Sequence, residues 1–201
     1  MRNKIGCVIM ASGMARRFGS NKLLHDFHGE PIMVRILRSM KQSKVDLPVV
    51  VTRHPEVVEI CKNEGIHAIL HDLPKRNDTV RLGMEYLLEK ASDLDGIMFA
   101  ASDQPCLKAE SITALRDAFD DNPDFIYRLS FQGTEGNPVL FPKATFEELL
   151  HLPEGKGGGM VIKRHPELLR LVEATDEKEL IDVDTPEILT QLLQIENGAV
   201  G

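Results

Sequence analysis

The sequence predicts an α/β domain with a mostly parallel central sheet and helices on both faces. Two patterns carry that prediction. Short apolar runs alternate with longer amphipathic segments, and the first run, Ile5–Met10, is apolar without interruption. Alternation of this kind implies βαβ units, and an unbroken apolar run suits a strand covered on both sides. With 201 residues and no repeat, linker or low-complexity tract, residues 1–201 read as a single domain.

The elements follow in order. Ile5–Met10 is the first strand, and a polar, Gly-containing loop spans residues 11–21. Pro31 opens a helix with Ile32, Ile36, Leu37 and Met40 on one stripe, a place where the missing N–H of proline costs nothing. Pro48–Thr52 is a strand, Pro55–Asn63 a helix stopped by Gly65, and Ile66–Leu70 the third strand. Asn77 or Asp78 caps a helix running to about Ala91, with Val80, Leu82, Met84, Leu87 and Leu88 as apolar members. Gly96–Ser102 is the fourth strand and Ala109–Phe119 the next helix. Phe125–Phe131 and Pro138–Phe141 are strands around a turn at Gly133–Gly136, and Ala144–His151 is a short helix. Beyond a Gly-rich segment come two apolar runs, Leu168–Val172 and Leu180–Val183, and a last helix from Pro186 to Ile195.

Open sheets of this class bind ligands at the carboxyl ends of their strands, near a topological switch point. That rule selects the loops at 11–22, 71–79, 102–106 and 182–186. The net charge of −7 argues against nucleic acid as a partner. No apolar run approaches the ~20 residues of a membrane-spanning helix. Cys7, Cys61 and Cys106 fit neither a disulfide framework nor a metal-ligand spacing, which points to a reducing cytoplasm. The first apolar run is too short for a secretory signal and is followed by Arg16 and Arg17. The seven histidines form no ligand motif, so zinc is not expected, and Cys106 reads as a small buried thiol.

In the first loop, Ala11, Ser12 and Gly13 leave room for a ligand to approach the backbone, whose N–H groups suit an anion. Arg17 and Lys22 add a forked guanidinium and a point-charge ammonium, a set that fits a triphosphate. The loop is neither a Walker A motif nor G-x-G-x-x-G. Taken alone, a solvated surface turn is the competing reading. Asp103 follows an apolar strand directly, a position suited to holding a hard cation beside phosphate, or to shaping an Asx-turn. Asp182 and Asp184 point to one side if they lie on a strand, and either is a candidate second metal ligand. Asp184 or Thr185 ahead of Pro186 reads equally well as a helix N-cap. Lys156, among glycines, is either a phosphate contact or part of a plain turn, and Arg16 is a solvated or substrate-side charge.

The segment M10-A-S-G-M-A-R-R-F-G-S-N-K-L-L24 resembles the signature of the MobA-like nucleotidyltransferases. Gly13, Arg17, Gly19 and Lys22 fall on its fixed positions, with Phe18 where Met is common and Ala15 replacing Ser or Gly. The resemblance continues in the family's order. Arg76–Met84 places Thr79 at a Ser position and Gly83 at a small one. Ser102–Pro105 reads S-D-Q-P, Gly136–Phe141 reads G-N-P-V-L-F with Asn137 replacing His, a G-K-G-G-G segment follows near residue 155, and Ile181–Glu187 reads I-D-V-D-T-P-E.

The resemblance implies a three-layer Rossmann-like nucleotidyltransferase fold and a Mg2+-dependent transfer of a nucleoside monophosphate onto a phosphate, with release of pyrophosphate. It implies Lys22, Arg17 and Asp103 as catalytic residues. Ala11, Ser12, Gly13, Arg17, Lys22 and Thr79 would bind the nucleotide, and Asp103, Asp184 and Asp182 the metal. The triplet Ala11-Ser12-Gly13 and the closing D-V-D-T-P-E resemble the cytidylyl branch, which joins CMP to the phosphate of the molybdopterin cofactor. The implied partners are therefore CTP, a molybdopterin-type phosphate acceptor and a molybdenum hydroxylase as client. The alternatives are a guanylyltransferase, a sugar- or polyol-phosphate cytidylyltransferase of the same fold, and a non-catalytic, nucleotide-gated cofactor carrier. The joint presence of Arg17, Lys22 and Asp103 favours the enzyme, because a carrier has no use for a complete phosphoryl-transfer set.

Overall fold

Alternate residues of the first strand face opposite layers, and this periodicity organises the molecule. The computed structural model describes residues 2–13, 18 and 21–198, with side chains through 195. Arg16, Arg17, Gly19 and Ala15 lie outside the described residues. In β1 (Ile5–Ala11), Ile5, Cys7 and Ile9 face one core and Val8 faces the other.

A short hairpin of β2 (Asp26–Phe27) and β3 (Glu30–Pro31) leads into α1 (Ile32–Gln42), β4 (Leu47–Thr52), α2 (Pro55–Asn63) and β5 (His67–Leu70). Then come α3 (Arg76–Lys90), β6 (Gly96–Ala101), α4 (Ala109–Asp121), β7 (Ile126–Phe131) and β8 (Thr134–Pro142). The chain ends with α5 (Phe146–Leu150), α6 (Gly159–Arg164), β9 (Leu169–Glu173) and α7 (Pro186–Gly198).

Helices α1, α2, α4 and α7 cover the first face through Ile36, Val57, Leu115 and Leu192, and α3, α5 and α6 cover the second through Met84, Leu149 and Val161. The result is the three-layer arrangement expected. All three cysteines are buried, and desolvation pushes the Cys7 thiol far above its ordinary range.

The seven strands run β5-β4-β1-β6-β8-β7-β9. All neighbours are parallel except β8, which is antiparallel to both β6 and β7. The chain leaves β1 for β4 and β5 on one side and returns to β6 on the other. The switch point therefore lies between β1 and β6, and their carboxyl ends flank the crevice where such sheets bind ligands. Helix α3 presses directly on this part of the sheet: a Cβ on Gly83 would stand 2.5 Å from Val8 Cγ1.

Several elements differ from the sequence expectation. The β7–β8 turn is the two-residue Gln132–Gly133, with φ of 48° and 83°, as a type I′ hairpin requires. Helix α3 starts at Arg76 and is capped from Lys75. Asp78 lies inside the first turn and its carboxylate accepts Lys75 N–H at 3.2 Å, while Asn77 Oδ1 accepts Gly155 N–H at 2.8 Å. Asn77 thus ties the Gly-rich segment to α3. The hairpin β2–β3 and helix α6 had no clear sequence mark, since glycines around Gly159 speak against a helix.

The apolar run Leu180–Val183 is not a strand, so Asp182 and Asp184 do not share a strand face. Buried Glu179 accepts bonds from Lys108 N–H, Thr175 N–H and Thr175 Oγ1, holding Glu177–Leu180 in a 3-10 turn. Val183 is buried, and its N–H donates to the Asp103 carbonyl at 2.9 Å. The run is apolar because Leu180 and Ile181 pack against the edge of the core and Val183 is buried in it, and it joins no ladder of strands.

Candidate active site at the carboxyl ends of the strands

The loop after β1 is anchored from its neighbours. Thr52 Oγ1 donates to the Ala11 carbonyl at 3.0 Å, and His54 Nε2–H donates to the Gly13 carbonyl at 2.9 Å. Ser12 Oγ donates to the Val51 carbonyl at 3.1 Å and lies 2.8 Å from His71 Nε2, which must then be the donor of that pair. This tautomer leaves His71 Nδ1 bare. Burial and the nearby Arg53 both lower the pKa of His71, keeping the ring neutral.

Asn21 caps a short 3-10 helix, Lys22–Leu24, by accepting Leu23 N–H at 3.2 Å. This places Lys22 Nζ 2.5 Å from Asp103 Oδ2 and 2.9 Å from Asp184 Oδ1. The Lys22 side chain is only 12% exposed. Burial disfavours its charge, but Asp103 and Asp184 outweigh burial and hold its pKa above the ordinary value. Asp182 keeps an exposed face, yet desolvation by the protein around its carboxyl and then the negative charges of Asp103 and Asp184 push its pKa up to about 6. A bond from Asp184 N–H to the Asp182 carbonyl at 3.0 Å bends this segment over the end of β6.

A cavity of about 450 Å³ opens beside these groups. Ser12, Gly13, Thr79, Asp103 and Asp182 line it, over apolar Val80 and Phe99. Lys22 and Asp184 are not in its wall, and Ala11 is buried beneath it. Among the described residues, three buried side-chain polar atoms lack a hydrogen-bond partner: Asn21 Nδ2, His71 Nδ1 and Gln104 Oε1. All three lie in the loops following β1, β5 and β6. Unsatisfied buried groups are few in native folds, and their gathering at one end of a sheet marks a place built for something other than stability.

The structure brings Lys22, Asp103, Asp182 and Asp184 together and sets Ser12, Gly13 and Thr79 around the neighbouring cavity. Sequence reasoning passed over Arg53, Arg76 and Asn137, which also line the cavity. Arg53 follows directly after β4, so the rule that selected the other loops would have found it. Arg76 lies in the selected loop 71–79 and Asn137 stands at a motif position in place of His, but neither is marked by the sequence as a site residue.

Two carboxylates converging on one ammonium, with a third beside them, form a donor set of the kind a hard divalent cation uses. No group of three or more His, Cys, Asp or Glu among the described residues is arranged to hold a metal unaided. Asp103 and Asp184, the two carboxylates on the Lys22 ammonium, are of the type magnesium takes, which needs only one or two such ligands beside phosphate oxygens and water. Among the described residues no helix is long and apolar enough to cross a membrane.

Comparison with known proteins identifies the family. The purine catabolism protein PucB of Bacillus subtilis is 28% identical over 194 residues, covering 90% of this chain and 91% of PucB. The bifunctional protein GlmU of Aquifex aeolicus is 26% identical over 191 residues, or 88% of this chain, which spans only 37% of GlmU. A solved CMP:2-keto-3-deoxy-manno-octonic acid synthetase, complexed with CTP, superposes with a TM-score of 0.75 at 16% identity, covering 98% of this chain and all of that one. Residues 7–169 match the family described as the MobA-like NTP transferase domain. The chain belongs to the MobA-like nucleotidyltransferases, the family whose motifs it carries in order.

Proposed function

We propose that this protein transfers CMP from CTP to the phosphate of the molybdenum–molybdopterin cofactor in the cytoplasm and releases pyrophosphate. The observation that carries the reaction type is the convergence of Lys22 with Asp103 and Asp184, next to Asp182, at the carboxyl ends of β1 and β6. Support for the substrates is of a different kind. It comes from the Ala11-Ser12-Gly13 triplet, from the closing Asp182-Val183-Asp184-Thr185-Pro186-Glu187, and from a fold-mate solved with CTP.

The acceptor phosphate attacks the α-phosphorus of the nucleotide. A bond forms between them, the bond from the α-phosphorus to the bridging oxygen breaks, and pyrophosphate leaves with that electron pair. A phosphate monoester is already a competent nucleophile near neutral pH, so no general base is needed. Catalysis is then positioning and charge neutralisation, as in phosphoryl transfer generally. Backbone N–H groups around Ser12 and Gly13 cradle the nucleotide, and Thr79 packs against it from the first turn of α3. Lys22 neutralises charge developing at the α-phosphate, and Arg17 holds the departing pyrophosphate. Asp103 would hold magnesium, with Asp184 or Asp182 as its second ligand. Bound there, the ion supplies Lewis-acid neutralisation of phosphate charge.

One observation favours keeping GTP as a second reading of the donor. The Ser12 hydroxyl is turned onto Val51 and His71, so it does not itself stand in the way of a purine. A pyrophosphate-release assay with CTP, GTP, ATP and UTP, run against molybdopterin, sugar-phosphate and polyol-phosphate acceptors, decides among these readings. CTP with the molybdopterin acceptor is expected to give the fastest release. Release from GTP alone assigns the guanylyl reaction, and tight nucleotide binding without release assigns a carrier.

A further inference from the structure

Residues 181–184 carry Asp182 and Asp184 to the site, yet they belong to no strand or helix. The sheet therefore does not set their position, which falls to packing and to single hydrogen bonds. Where the segment begins, the Leu180 side chain lies on Gly136 of β8, and a Cβ there would stand 2.6 Å from Leu180 Cδ2. Where it ends, Val183 N–H reaches the Asp103 carbonyl at 2.9 Å. Gln104 acts between these two anchors.

Gln104 is a polar side chain in a closed place. It is 1% exposed and is not part of the cavity wall, so it does not meet a ligand there. Its Nε2 donates to the Leu180 carbonyl at 3.3 Å. The same amide faces the Asp182 carboxyl as a donor and favours its charged form, against the burial and like charges that oppose it. Its Oε1 is buried without a partner. Turning the amide over would set that oxygen against the Leu180 carbonyl, so the N–H groups must point at the closing segment. A methionine would fill the same space with no bare oxygen, so stability alone does not call for glutamine here. The loop that carries Gln104 is itself tied down. Leu107 N–H donates to the Gln104 carbonyl at 3.2 Å, and from α1 Ser39 Oγ donates to the Leu107 carbonyl at 2.7 Å. Gln104 thus reaches from an anchored loop to a segment that has few bonds of its own.

We propose that Gln104 is a positioning residue, which sets Asp182 in the cavity wall by holding the segment that carries it. It acts through Asp182 and not on the nucleotide. The inference rests on the nucleotidyl-transfer reading and adds to it the residue that fixes one of the candidate metal carboxylates.

The test is a double-variant cycle on the 201-residue chain with Gln104→Met and Asp182→Ala. Two quantities are measured: Mn2+ affinity without nucleotide, by electron paramagnetic resonance, and pyrophosphate release with CTP and magnesium. Gln104→Met is expected to lower each about 10–100-fold, the scale for residues that orient a metal ligand. On the Asp182→Ala background it is expected to change neither by more than about twofold, because the group it positions is gone. Urea unfolding checks that each variant is folded. Should Gln104→Met fail to fold, Gln104→Asn, which keeps the amide but is one methylene shorter, carries the same cycle. Wild-type Mn2+ affinity in the folded single variant, or losses of equal size on both backgrounds, overturns the proposal. Failure of the nucleotidyl-transfer reading looks different. In that case the two positions stay coupled in Mn2+ binding while wild type releases no pyrophosphate from any nucleotide.

Discussion

The two ends of the central sheet carry charge in opposite ways. At the amino end, fully buried Arg116 donates to Asp46 at 2.7 Å, to Asp120 at 3.2 Å, and to the carbonyls of Lys44 and Asn3. Asp46, Asp95 and Asp120 also accept the N–H groups of Ile5, Lys4 and Asn3, so each carboxylate fastens the start of β1. At the carboxyl end, one ammonium is shared by two carboxylates, a third carboxyl is pushed up to about 6, and three buried polar atoms lack partners. The same residue types thus serve two purposes. A cluster that satisfies itself holds the fold, and a cluster left incomplete waits for a ligand to complete it.

Replacing one residue at each end is the most forceful way to break the comparison. Arg116→Met should destabilise the protein by the lower part of ~3–5 kcal/mol, because it strips a buried charge from partners that are themselves partly exposed. Urea unfolding measures that loss, and the folded fraction should turn over at the wild-type rate. A slow but fully stable Arg116 variant would erase the distinction between the two ends.

Asp103→Ala should do the reverse, leaving stability intact while turnover falls ~100–1,000-fold, the usual cost of removing one charge-stabilising contact. Retention of more than about a tenth of the rate, measured by steady-state kinetics, contradicts its role at the metal.

Lys22 sharpens the comparison further. Lys22→Ala should lower turnover more than nucleotide affinity, since its charge opposes charge that builds in the transition state, whereas Arg17→Ala should lower both. Lys22→Met should also bind Mn2+ more tightly than wild type without nucleotide, because the ammonium no longer satisfies Asp103 and Asp184. Electron paramagnetic resonance titration reads this directly, and unchanged or weaker Mn2+ binding goes against the shared cation position.

The smallest effect is base choice. CTP should be preferred over GTP by ~10–200-fold, the range for a modest shape difference in a pocket. With the Ser12 hydroxyl held by Val51 and His71, that preference should shrink in Ser12→Gly through movement of the loop. Calorimetry with the four nucleotides measures both quantities.

Much of this was legible in the sequence, for a definite reason. The strands around the switch point are buried on both faces, so β1, β4 and β6 stand out as unbroken apolar runs, and the loops after them follow by rule. Asp103 was found that way. Periodicity reports burial, however, and not pairing, so Leu180–Val183 reads as a strand although it lies along the edge of the core without joining a ladder. The convergence of Asp184 with Lys22, 162 residues apart in sequence, depends on that path and on the bonds that tie it to the loop after β6, from Val183 N–H to the Asp103 carbonyl and from Gln104 Nε2 to the Leu180 carbonyl. The sequence marks Lys156 only as a phosphate contact or part of a plain turn, and it leaves Arg76 and Lys163 unmarked. Isolated cations on a helix or loop ordinarily face solvent, as these three do, and only the packing of α6 and the Gly-rich segment onto α3 sets them around one cleft.

The central claim is that the incomplete end of the sheet moves the α-phosphate of a nucleotide. Following CTP labelled separately at the α- and γ-phosphorus, with molybdopterin as acceptor and magnesium present, tests it most directly. Label from the α-position should appear in the acceptor and label from the γ-position in pyrophosphate, with both products lost in Asp103→Ala. Transfer of the γ-label to the acceptor, or retention of intact CTP on the protein with no labelled product, would contradict the account.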